Sequence, residues 1–322
     1  MKRKIALVCA AAMALSLAAC GSTTSSSEST AASDSTASES TAASDSTADS
    51  AEADTAEADA AASDFDTTQA ITVITREEGS GTRSAFVELT GVEDDSGDRT
   101  TQGAATQNST NGVMTTVAND ETAIGYISLG SLDESVKAVN VGGVAASADT
   151  VKDGTYTLSR PFNIVTNGEA TDPVAVDFIG FCMSADGQAL ATEEGYIGTD
   201  GAEAFTSTQP SGNITVGGSS SVSPLMEKLI EAYGAVNPNA TIELMTTDST
   251  TGVTGALDGS YTIGMASREL KDEETAQGAA ATVLAMDGIA VVVNPANTAV
   301  EDLSIDQIRS IYVGETTTWD AL

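Results

Sequence analysis

The run REEGSGTRSAF at residues 76–86 decides how the rest of the chain is interpreted. It follows the β-type run ITVIT at residues 71–75 and leads into a predicted helix. The first backbone N–H groups of a helix have no intrahelical partner, and the helix dipole favours negative charge there. Ser80 and Thr82 add hydroxyl groups, and Arg76 adds a guanidinium that can pair with two anion oxygens. The stretch alone leaves two interpretations open: an anion site, or a Gly-rich turn with a Ser/Thr helix cap.

The same pattern of strand, Gly/Ser/Thr turn and helix occurs twice more. One copy runs from ITV at 214–216 through GGSSS to a helix predicted over 222–236, which Ser221 is placed to cap. The other runs from TIELM at 241–245 through DSTTG at 248–252 to another helix start. Three helix starts that meet in one cleft would surround a small oxyanion. Strands alternate with helices along the chain, which favours an α/β fold with mainly parallel sheets.

The composition excludes several classes of protein. The formal net charge of −34 argues against nucleic-acid binding. The absence of His from the sequence removes His-based acid/base catalysis and His-ligated metal sites. No phosphate loop ending in Gly-Lys-Ser/Thr is present either, so neither an enzyme nor a metal or other cofactor is expected. The scarce arginines stand out by position, because four of them lie in or beside the Gly/Ser-rich motifs: Arg76, Arg83, Arg160 and Arg268.

Residues 1–20 have the organisation of a lipoprotein signal peptide. The basic residues 1–4 precede an apolar stretch at 5–19 that is too short to span a bilayer comfortably. The order LAAC at 17–20 resembles the lipobox of bacterial lipoproteins. We therefore expect cleavage before Cys20 and lipid, including palmitate, on Cys20, which would anchor the protein at the extracytoplasmic face of the cell membrane. The alternative is an ordinary signal peptide followed by an incidental Cys.

Residues 21–66 consist almost entirely of Ser, Thr, Ala, Asp and Glu. Such a segment cannot bury enough apolar surface to offset its ordering entropy, so a disordered tether is expected. Its root-mean-square reach would be about 35–40 Å. Cys182 lies in the apolar run VDFIGFCM at 176–183 and has no partner for a disulfide within the mature chain. It is expected to be a small buried hydrophobic residue.

Several segments together resemble the phosphate-binding proteins of bacterial phosphate ABC transporters. Besides REEGSGTRSAF, ITVGGSSSVSPLM and STTGV, they are AIGYISLG at 123–130, GMASREL at 264–270 and DGIAVVVN at 287–294. The resemblance covers nearly all of residues 70–322. It implies a two-lobed, periplasmic-binding-protein-like clamp of type II that binds inorganic phosphate outside the cytoplasm. It further implies a monomer without cofactors that delivers phosphate to ABC-transporter permease subunits.

The order of the motifs departs from the usual family order. There the GSSS block comes first, and the segment that contains the Trp runs into the REEGSGT block. Here the sequence reaches TWDAL at 318–322, where that block would follow. The resemblance therefore implies a circularly permuted fold, with residues 205–213 as the join. Ile71 and Leu322 would then lie close together in one lobe.

The same comparison divides the mature domain into two lobes. One lobe would combine residues 67–158 with 296–322 and carry the GSGT motif. The other would comprise residues 159–295 and carry the GSSS, STTG and SR motifs. Both would contribute to a cleft with these phosphate-binding residues: Arg76, Gly79, Ser80, Gly81, Thr82, Ser220, Ser221, Ser249, Arg268 and Asp287.

Some of these residues have simpler alternative roles. Ser220 and Ser249 could only cap helices, and Arg268 could belong to a surface or interlobe ion pair. Arg83 and Arg160 are expected to be structural partners rather than ligands of the anion. Binding of another oxyanion, such as sulfate or molybdate, and a phosphatase-like enzyme remain the alternative functions.

Asp287 is predicted to distinguish phosphate from sulfate. Near neutral pH phosphate still carries a proton to donate and sulfate does not, so a carboxylate acceptor would disfavour sulfate. The substitution Asp287→Asn would then weaken phosphate binding and relax the discrimination against sulfate. The alternative is an Asp that caps the turn before the strand at residues 289–293.

Overall fold

The computed structural model describes residues 65–322. The expected signal peptide, the lipid attachment at Cys20 and the tether up to residue 64 lie outside the described residues. The helices are α1 Gly81–Thr90, α2 Thr110–Ala118, α3 Ala148–Lys152, α4 Pro173–Cys182, α5 Ala185–Glu193, α6 Ser223–Val236, α7 Ser249–Asp258, α8 Asp272–Ala276 and α9 Ile305–Tyr312. Short 3-10 turns lie at Leu129–Ser131 and Trp319–Ala321.

The strands alternate with these helices, as the sequence predicts. They are β1 Thr72–Arg76, β2 Glu93–Asp94, β3 Gly97–Asp98, β4 Ala105–Gln107, β5 Ala123–Ser128, β6 Lys137–Ala138, β7 Asn140–Val141, β8 Ser159–Asn167, β9 Gly212–Ser219, β10 Ala240–Thr247, β11 Ile263–Ala266, β12 Ala279–Val293 and β13 Asp302–Leu303.

One path of hydrogen-bonded strands runs through the molecule in the order β10-β9-β11-β8-β12-β5-β1-β4. The outer neighbours pair in parallel, whereas β8 and β12 pair antiparallel with each other and with the strands beside them. The expectation of mainly parallel sheets is therefore right for the two ends of the path and wrong for its centre. The reason is that β8 and β12 connect the two halves and run in opposite directions.

Two groups of buried side chains define two lobes. The first lobe packs around the apolar faces of α1, α2 and α9 against β1 and β5, and it includes Phe86 and Ile124. The second lobe packs around α4, α5, α6 and α7 against β8, β9 and β11, and it includes Phe178 and Leu225. The model is thus a mixed α/β, two-lobed structure.

The division between the lobes differs from the expected boundary at 295/296. Within β12, the residues up to Gly288 pair with β8, and those from Ile289 to Val293 pair with β5. Successive residues of that last part point to opposite faces of the strand: Val291 packs in one hydrophobic cluster of the first lobe and Val292 in the other. Because both faces are buried there, residues 289–293 belong to the first lobe, and the chain changes lobe near Asp287.

The two ends of the described chain lie together in the first lobe. The Ile71 amide donates to the Thr317 carbonyl at 2.8 Å, and the Asp320 amide donates to the Thr67 carbonyl at 2.9 Å. The rings of Phe65 and Trp319 pack edge to face with centroids 6.3 Å apart. The predicted proximity of Ile71 to the end of the chain is confirmed.

Helices α4 and α5 contain the apolar segment around Cys182. Cys182 is fully buried in the core of the second lobe, as predicted, and burial raises the pKa of its thiol. Among residues 65–322 no single helix is long and apolar enough to cross a membrane. Only α4 and α5 taken together, with a bend of 57° between them, reach that length and composition.

Candidate anion-binding site

Helix α1 begins at the predicted GSGT turn. Ser80 is its N-cap, and its hydroxyl accepts a hydrogen bond from the Arg83 amide at 3.3 Å. Gly79 has φ +90°, a conformation that favours glycine. The ring of Phe86 stacks on Tyr126 of β5 with centroids 3.9 Å apart, which fixes α1 against the sheet. The start of α1 is therefore held rigidly at the end of β1.

Helix α7 of the second lobe begins directly opposite this turn. The Gly79 carbonyl accepts from the Thr250 amide at 3.1 Å and from its hydroxyl at 3.2 Å. Asp248 is the N-cap of α7, so the alternative of Ser249 as a simple cap is wrong. The Ser249 hydroxyl, fully buried, instead accepts from the Ser267 amide at 3.0 Å. It lies so close to Gly81 that a Cβ there would overlap it.

The serines before α6 reach across to the first lobe. The N-cap position of α6 is Val222 and no side chain caps it, so the expectations of a cap from Ser221, and of Ser220 as a simple cap, are wrong. The Ser221 hydroxyl lies 2.8 Å from Thr82 Oγ1. The Ser220 hydroxyl accepts from Arg76 Nη2 at 3.1 Å. Both serines are buried, so these contacts join the lobes away from water.

A fourth helix start, at α2, completes the site and was missed from the sequence. Ser109 caps α2 by accepting from the Gly112 amide at 3.0 Å. The Thr110 amide donates to Ser220 Oγ at 3.4 Å, and its hydroxyl lies 3.1 Å from Ser221 Oγ. The signal was the pair Ser-Thr at residues 109–110, shortly before the apolar run that begins at Val113.

Arg76 is the buried cation of the site. Only 2% of the residue is exposed, and its guanidinium pairs in two-pronged fashion with Glu77: Nε to Oε2 and Nη2 to Oε1, each at 2.8 Å. The same Nη2 also donates to Ser220. Glu77 therefore fixes the plane of the guanidinium at the interface between the lobes.

Arg268 lies behind α7 and is committed to an ion pair. Its Nη2 lies 2.7 Å from Glu274 Oε1 and its Nη1 lies 2.8 Å from Oε2, and Nη2 also approaches the Thr250 hydroxyl at 3.3 Å. Burial opposes ionisation of Glu274, but the contacts with Arg268 and with Lys271 hold its pKa below the ordinary value. The geometry favours the ion-pair alternative, in a buried position within the second lobe.

Asp287 is separated from the four helix starts by Arg160. Its Oδ2 pairs with Arg160 Nη1 at 3.0 Å, and its Oδ1 accepts from the Gly130 amide at 3.3 Å. Arg160 Nη2 in turn donates to Thr82 Oγ1 at 3.1 Å. Burial outweighs the attraction of Arg160 and raises the pKa of Asp287 to about 6.

Both expected roles of Asp287 therefore require correction. Its carboxylate is engaged with Arg160 and Gly130 instead of pointing among the donors, and it lies inside β12 rather than in a turn. Arg160 pairs with Asp287 as a structural partner, and it also contacts Thr82, a predicted site residue. Arg83 is a structural partner, as expected, because it pairs with Asp98 at 2.8 Å and donates to the Arg76 carbonyl at 2.8 Å.

The starts of α1, α2, α6 and α7 thus converge between the lobes. They bring backbone N–H groups, the positive ends of helix dipoles and hydroxyl groups to one place, next to Arg76. Such a convergence of donors between two lobes is characteristic of a binding protein for a small anion.

Comparison with known proteins specifies the family. The PBP superfamily domain matches residues 59–186 and 203–322. Phosphate-binding protein PstS 2 of Streptococcus agalactiae serotype V is 48% identical over 257 residues, which cover 78% of this chain and 87% of the relative. PstS 2 of Streptococcus pneumoniae serotype 4 is 46% identical over 258 residues, with the same coverage of 78% and 87%. The chain belongs to the PBP superfamily and, within it, to the family of these phosphate-binding proteins.

A solved structure agrees with this assignment. The crystal structure of a phosphate-binding protein of a phosphate ABC transporter from Streptococcus pneumoniae superposes with a TM-score of 0.64 at 45% identity. The match covers 78% of this chain and 99% of that chain. The two-lobed fold, as well as the sequence, is therefore shared with a phosphate-binding protein.

Proposed function

We propose that this protein captures inorganic phosphate between its lobes for uptake by an ABC transporter. The observation that carries the proposal is the convergence of four helix starts from both lobes, joined by the Thr82–Ser221 and Arg76–Ser220 contacts. The relatives with the same fold are named phosphate-binding proteins. Such a site binds and releases its ligand unchanged, in keeping with a transport protein rather than an enzyme.

The residues proposed to contact phosphate come from both lobes. Arg76 supplies the charge-assisted hydrogen bonds, and the helix starts supply backbone N–H and hydroxyl groups. Arg268 and Asp287 do not contact the anion in this proposal. Arg268 holds the Thr250 hydroxyl at the start of α7, and Asp287 pairs with Arg160, which holds the Thr82 hydroxyl. The groups proposed to be in direct contact are Arg76, Gly79, Ser80, Gly81, Thr82, Ser220, Ser221 and Ser249, and the contacts of Thr110 with Ser220 and Ser221 support its inclusion with them.

The setting of the protein is part of the same proposal. Lipid on Cys20 would hold a monomer at the extracytoplasmic face of the cell membrane, close to the permease subunits that accept phosphate. The acidic segment after Cys20 would link this anchor to the lobes. Metabolic labelling with a radioactive or clickable fatty acid tests this, because the substitution Cys20→Ala should abolish the labelling.

The motif order is proposed to be a circular permutation of the usual family order. In the usual family order, the segment that contains the Trp runs directly into the GSGT block, so these two segments must lie close together in this chain. The Ile71–Thr317 and Thr67–Asp320 contacts agree with that condition. The proposed join at residues 205–213 lies on the second lobe, where Ser207 and Thr208 hydrogen bond to Asp177.

The central test is a calorimetric titration of the purified protein with phosphate, sulfate and molybdate. Trp319 is buried beside Phe65 at the chain ends, so heat is a more direct readout than its fluorescence. We expect phosphate to bind with much the highest affinity. The substitution Arg76→Ala should weaken binding by about 10- to 100-fold, the effect of losing hydrogen bonds from a charged group.

The matched control is Arg309→Ala. Arg309 is a half-exposed partner of Asp306 on α9, so its loss should leave the affinity unchanged. A protein that binds sulfate or molybdate but not phosphate would point to the alternative oxyanion function. Absence of all three affinities in a folded protein would remove the proposal.

A further inference from the structure

Arg160 and Asp287 form a buried ion pair where the chain passes between the lobes. The two residues are opposite each other in the pairing of β8 with β12. Their side chains are 2% and 0% exposed. A buried pair of this kind is costly to desolvate and is weak evidence of a purely stabilising role. Its position on the interlobe strands, in contact with Thr82 of the site, therefore calls for a functional explanation.

The contacts of Arg160 fix the direction of one hydroxyl. A guanidinium can only donate hydrogen bonds, so Thr82 Oγ1 must be the acceptor in its 3.1 Å contact with Arg160 Nη2. The hydrogen of the Thr82 hydroxyl is then free to point elsewhere, and the nearest group is Ser221 Oγ at 2.8 Å, across the cleft. Arg160 thus leaves the hydrogen of the Thr82 hydroxyl available for donation toward the other lobe.

We propose that Arg160, held in place by Asp287, is a positioning residue that directs the Thr82 hydroxyl toward the bound anion and strengthens its binding. The inference rests on the proposed capture of phosphate and concerns the same site. Neither Arg160 nor Asp287 touches the anion in this arrangement. Their effect passes through Thr82 alone.

The proposal makes affinity depend on the ionisation of Asp287. The groups that face its carboxylate are Arg160 from β8, the Ser128 hydroxyl from β5, and the amides of Leu129 and Gly130. Tyr196 and Tyr156 also lie near: burial and then the Asp287 charge raise the pKa of each phenol. The charge of Arg76, from β1, acts on Arg160 from the other side. Since burial raises the pKa of Asp287 to about 6, protonation below that pH would loosen the hold on Arg160.

The experiment compares phosphate affinities of the whole protein and its Asp287→Asn variant by calorimetry at pH 8 and pH 5. Phosphate itself titrates in this range, but at each pH both proteins meet the same phosphate, so the ratio of their dissociation constants cancels that effect. We expect the variant to bind about tenfold more weakly at pH 8, the equivalent of one pKa unit, and only about twofold more weakly at pH 5, where most of Asp287 is protonated. A ratio that is the same at both pH values would overturn the proposal.

The matched control is Asp306→Asn, the same chemical change at an exposed carboxylate on α9. Its ratio to the wild type should stay at one at both pH values. If the wild-type protein binds no phosphate, the proposed function fails. If the wild type binds and only the pH-dependent ratio is missing, this inference alone fails.

A second variant keeps the test open should Asp287→Asn not fold. Arg160→Lys retains the buried charge, but an ammonium lacks the planar fork that reaches Asp287 and Thr82 together. We expect it to bind phosphate as weakly as Arg160→Gln. Recovery of wild-type affinity in Arg160→Lys would show that charge suffices, and would contradict the positioning role. In a Thr82→Val background, Arg160→Gln should cause no further loss, whereas an additive loss would also contradict it.

Discussion

At the scale of single residues, Gly81 sets how closely the two lobes approach. A Cβ at this position would overlap the Ser249 hydroxyl and would lie 2.8 Å from that of Ser267. Its backbone is not in the left-handed region, so alanine can adopt its conformation. The overlap arises only where the start of α1 meets the start of α7. A side chain added at position 81 should therefore change the approach of the two lobes to each other and leave the fold of each lobe unchanged.

We accordingly expect Gly81→Ala to weaken phosphate binding by about tenfold or more, because overpacking of this kind typically costs about 1–3 kcal/mol. The melting temperature of the unliganded protein should change little. Calorimetry and thermal unfolding provide the two measurements. Gly234→Ala is the control: nothing lies within 4 Å of a Cβ there, and alanine in the last turn of α6 should raise stability by up to about 0.5–1 kcal/mol without affecting phosphate binding. Unchanged affinity in Gly81→Ala would show that the lobes do not close on this contact.

Asp287 permits a prediction about stability. Its pKa is about 6 in the folded protein and 3.8 ordinarily, so the folded state takes up a proton that the unfolded chain releases. The stability that this proton provides is therefore fully present below pH 3.8 and is lost as the pH rises through 6. Between pH 8 and pH 5, the free energy of unfolding of the wild type should rise by about 1.4 kcal/mol relative to Asp287→Asn. Urea denaturation at the two pH values measures this difference, and a difference independent of pH would show that Asp287 ionises normally.

The site residues also show what the sequence can and cannot reveal at this scale. The strand, turn and helix that carry Arg76 and the GSGT motif were predicted correctly because they follow one another along the chain, and local order determines that geometry. The role of Asp287 was misassigned because it depends on the pairing of two strands. No local pattern indicates that Arg160 lies opposite it.

At the scale of elements, β12 shows the same limit. The sequence allows a turn at Asp287 before a strand at residues 289–293, yet the structure has one strand of 15 residues, Ala279–Val293. Gly288 is needed there for packing, since a Cβ would lie 3.0 Å from the side chains of Leu129 and Val151. A glycine that makes room for a neighbouring element cannot be distinguished, in sequence, from a glycine that makes a turn.

Helix α5 illustrates a similar ambiguity. The pair Asp186-Gly187 predicts a break in the helical stretch that begins at Pro173, but the break lies at Met183–Ser184, where the Ser184 hydroxyl accepts from the Gly187 amide and caps a new helix. Gly187 lies in the first turn of α5 and does not break the helix. Glycine is needed there because a Cβ would overlap the carbonyls at the end of α4. Capping by serine was the stronger signal.

The linker at residues 205–213 is held to the second lobe chiefly by Asp177 of α4. The carboxylate accepts from the Ser207 hydroxyl at 2.6 Å, the Thr208 amide at 2.8 Å and the Tyr233 hydroxyl at 2.8 Å. Burial opposes its ionisation, but these hydrogen bonds together lower the pKa of Asp177. The linker is therefore docked rather than free over this part of its length.

We expect Asp177→Ala to lower the free energy of unfolding by about 2–3 kcal/mol, because the buried Tyr233 hydroxyl and the Thr208 amide lose a charged acceptor. The linker should also become more sensitive to limited proteolysis, while phosphate affinity stays the same. The control is Asp186→Ala, which removes an exposed carboxylate in the first turn of α5 and should cost only a few tenths of a kcal/mol. Equal stability of the two variants would show that the linker is not anchored through Asp177.

At the scale of the whole molecule, an acidic protein of net charge −34 is proposed to bind an anion. The buried arginines near the site are each matched by a carboxylate: Arg76 by Glu77, Arg160 by Asp287 and Arg268 by Glu274. Charges beyond about 8 Å are largely screened at physiological salt, so the surface acidity has little effect inside the cleft. Neutral donors at the helix starts can therefore act on the anion despite the charge of the chain.

The arrangement of the ends permits a test of circular permutation on the whole molecule. A permuted domain would begin at Gly212, run to Leu322, continue through a short Gly/Ser segment to Phe65, and end at Ser211. The Asp320–Thr67 hydrogen bond of 2.9 Å shows that only a short connection is needed. Its phosphate affinity should stay within about threefold of the original, because joining ends that already touch leaves the cleft unchanged.

The control opens the chain between Gly252 and Val253, inside α7, where the break cuts a helix that lines the site. We expect that control not to fold. The contradicting outcome is that the domain opened at Ser211 fails to fold, while residues 65–322 in their native order fold and bind phosphate. The motif order of this chain and the usual family order would then not be related by a simple exchange of ends.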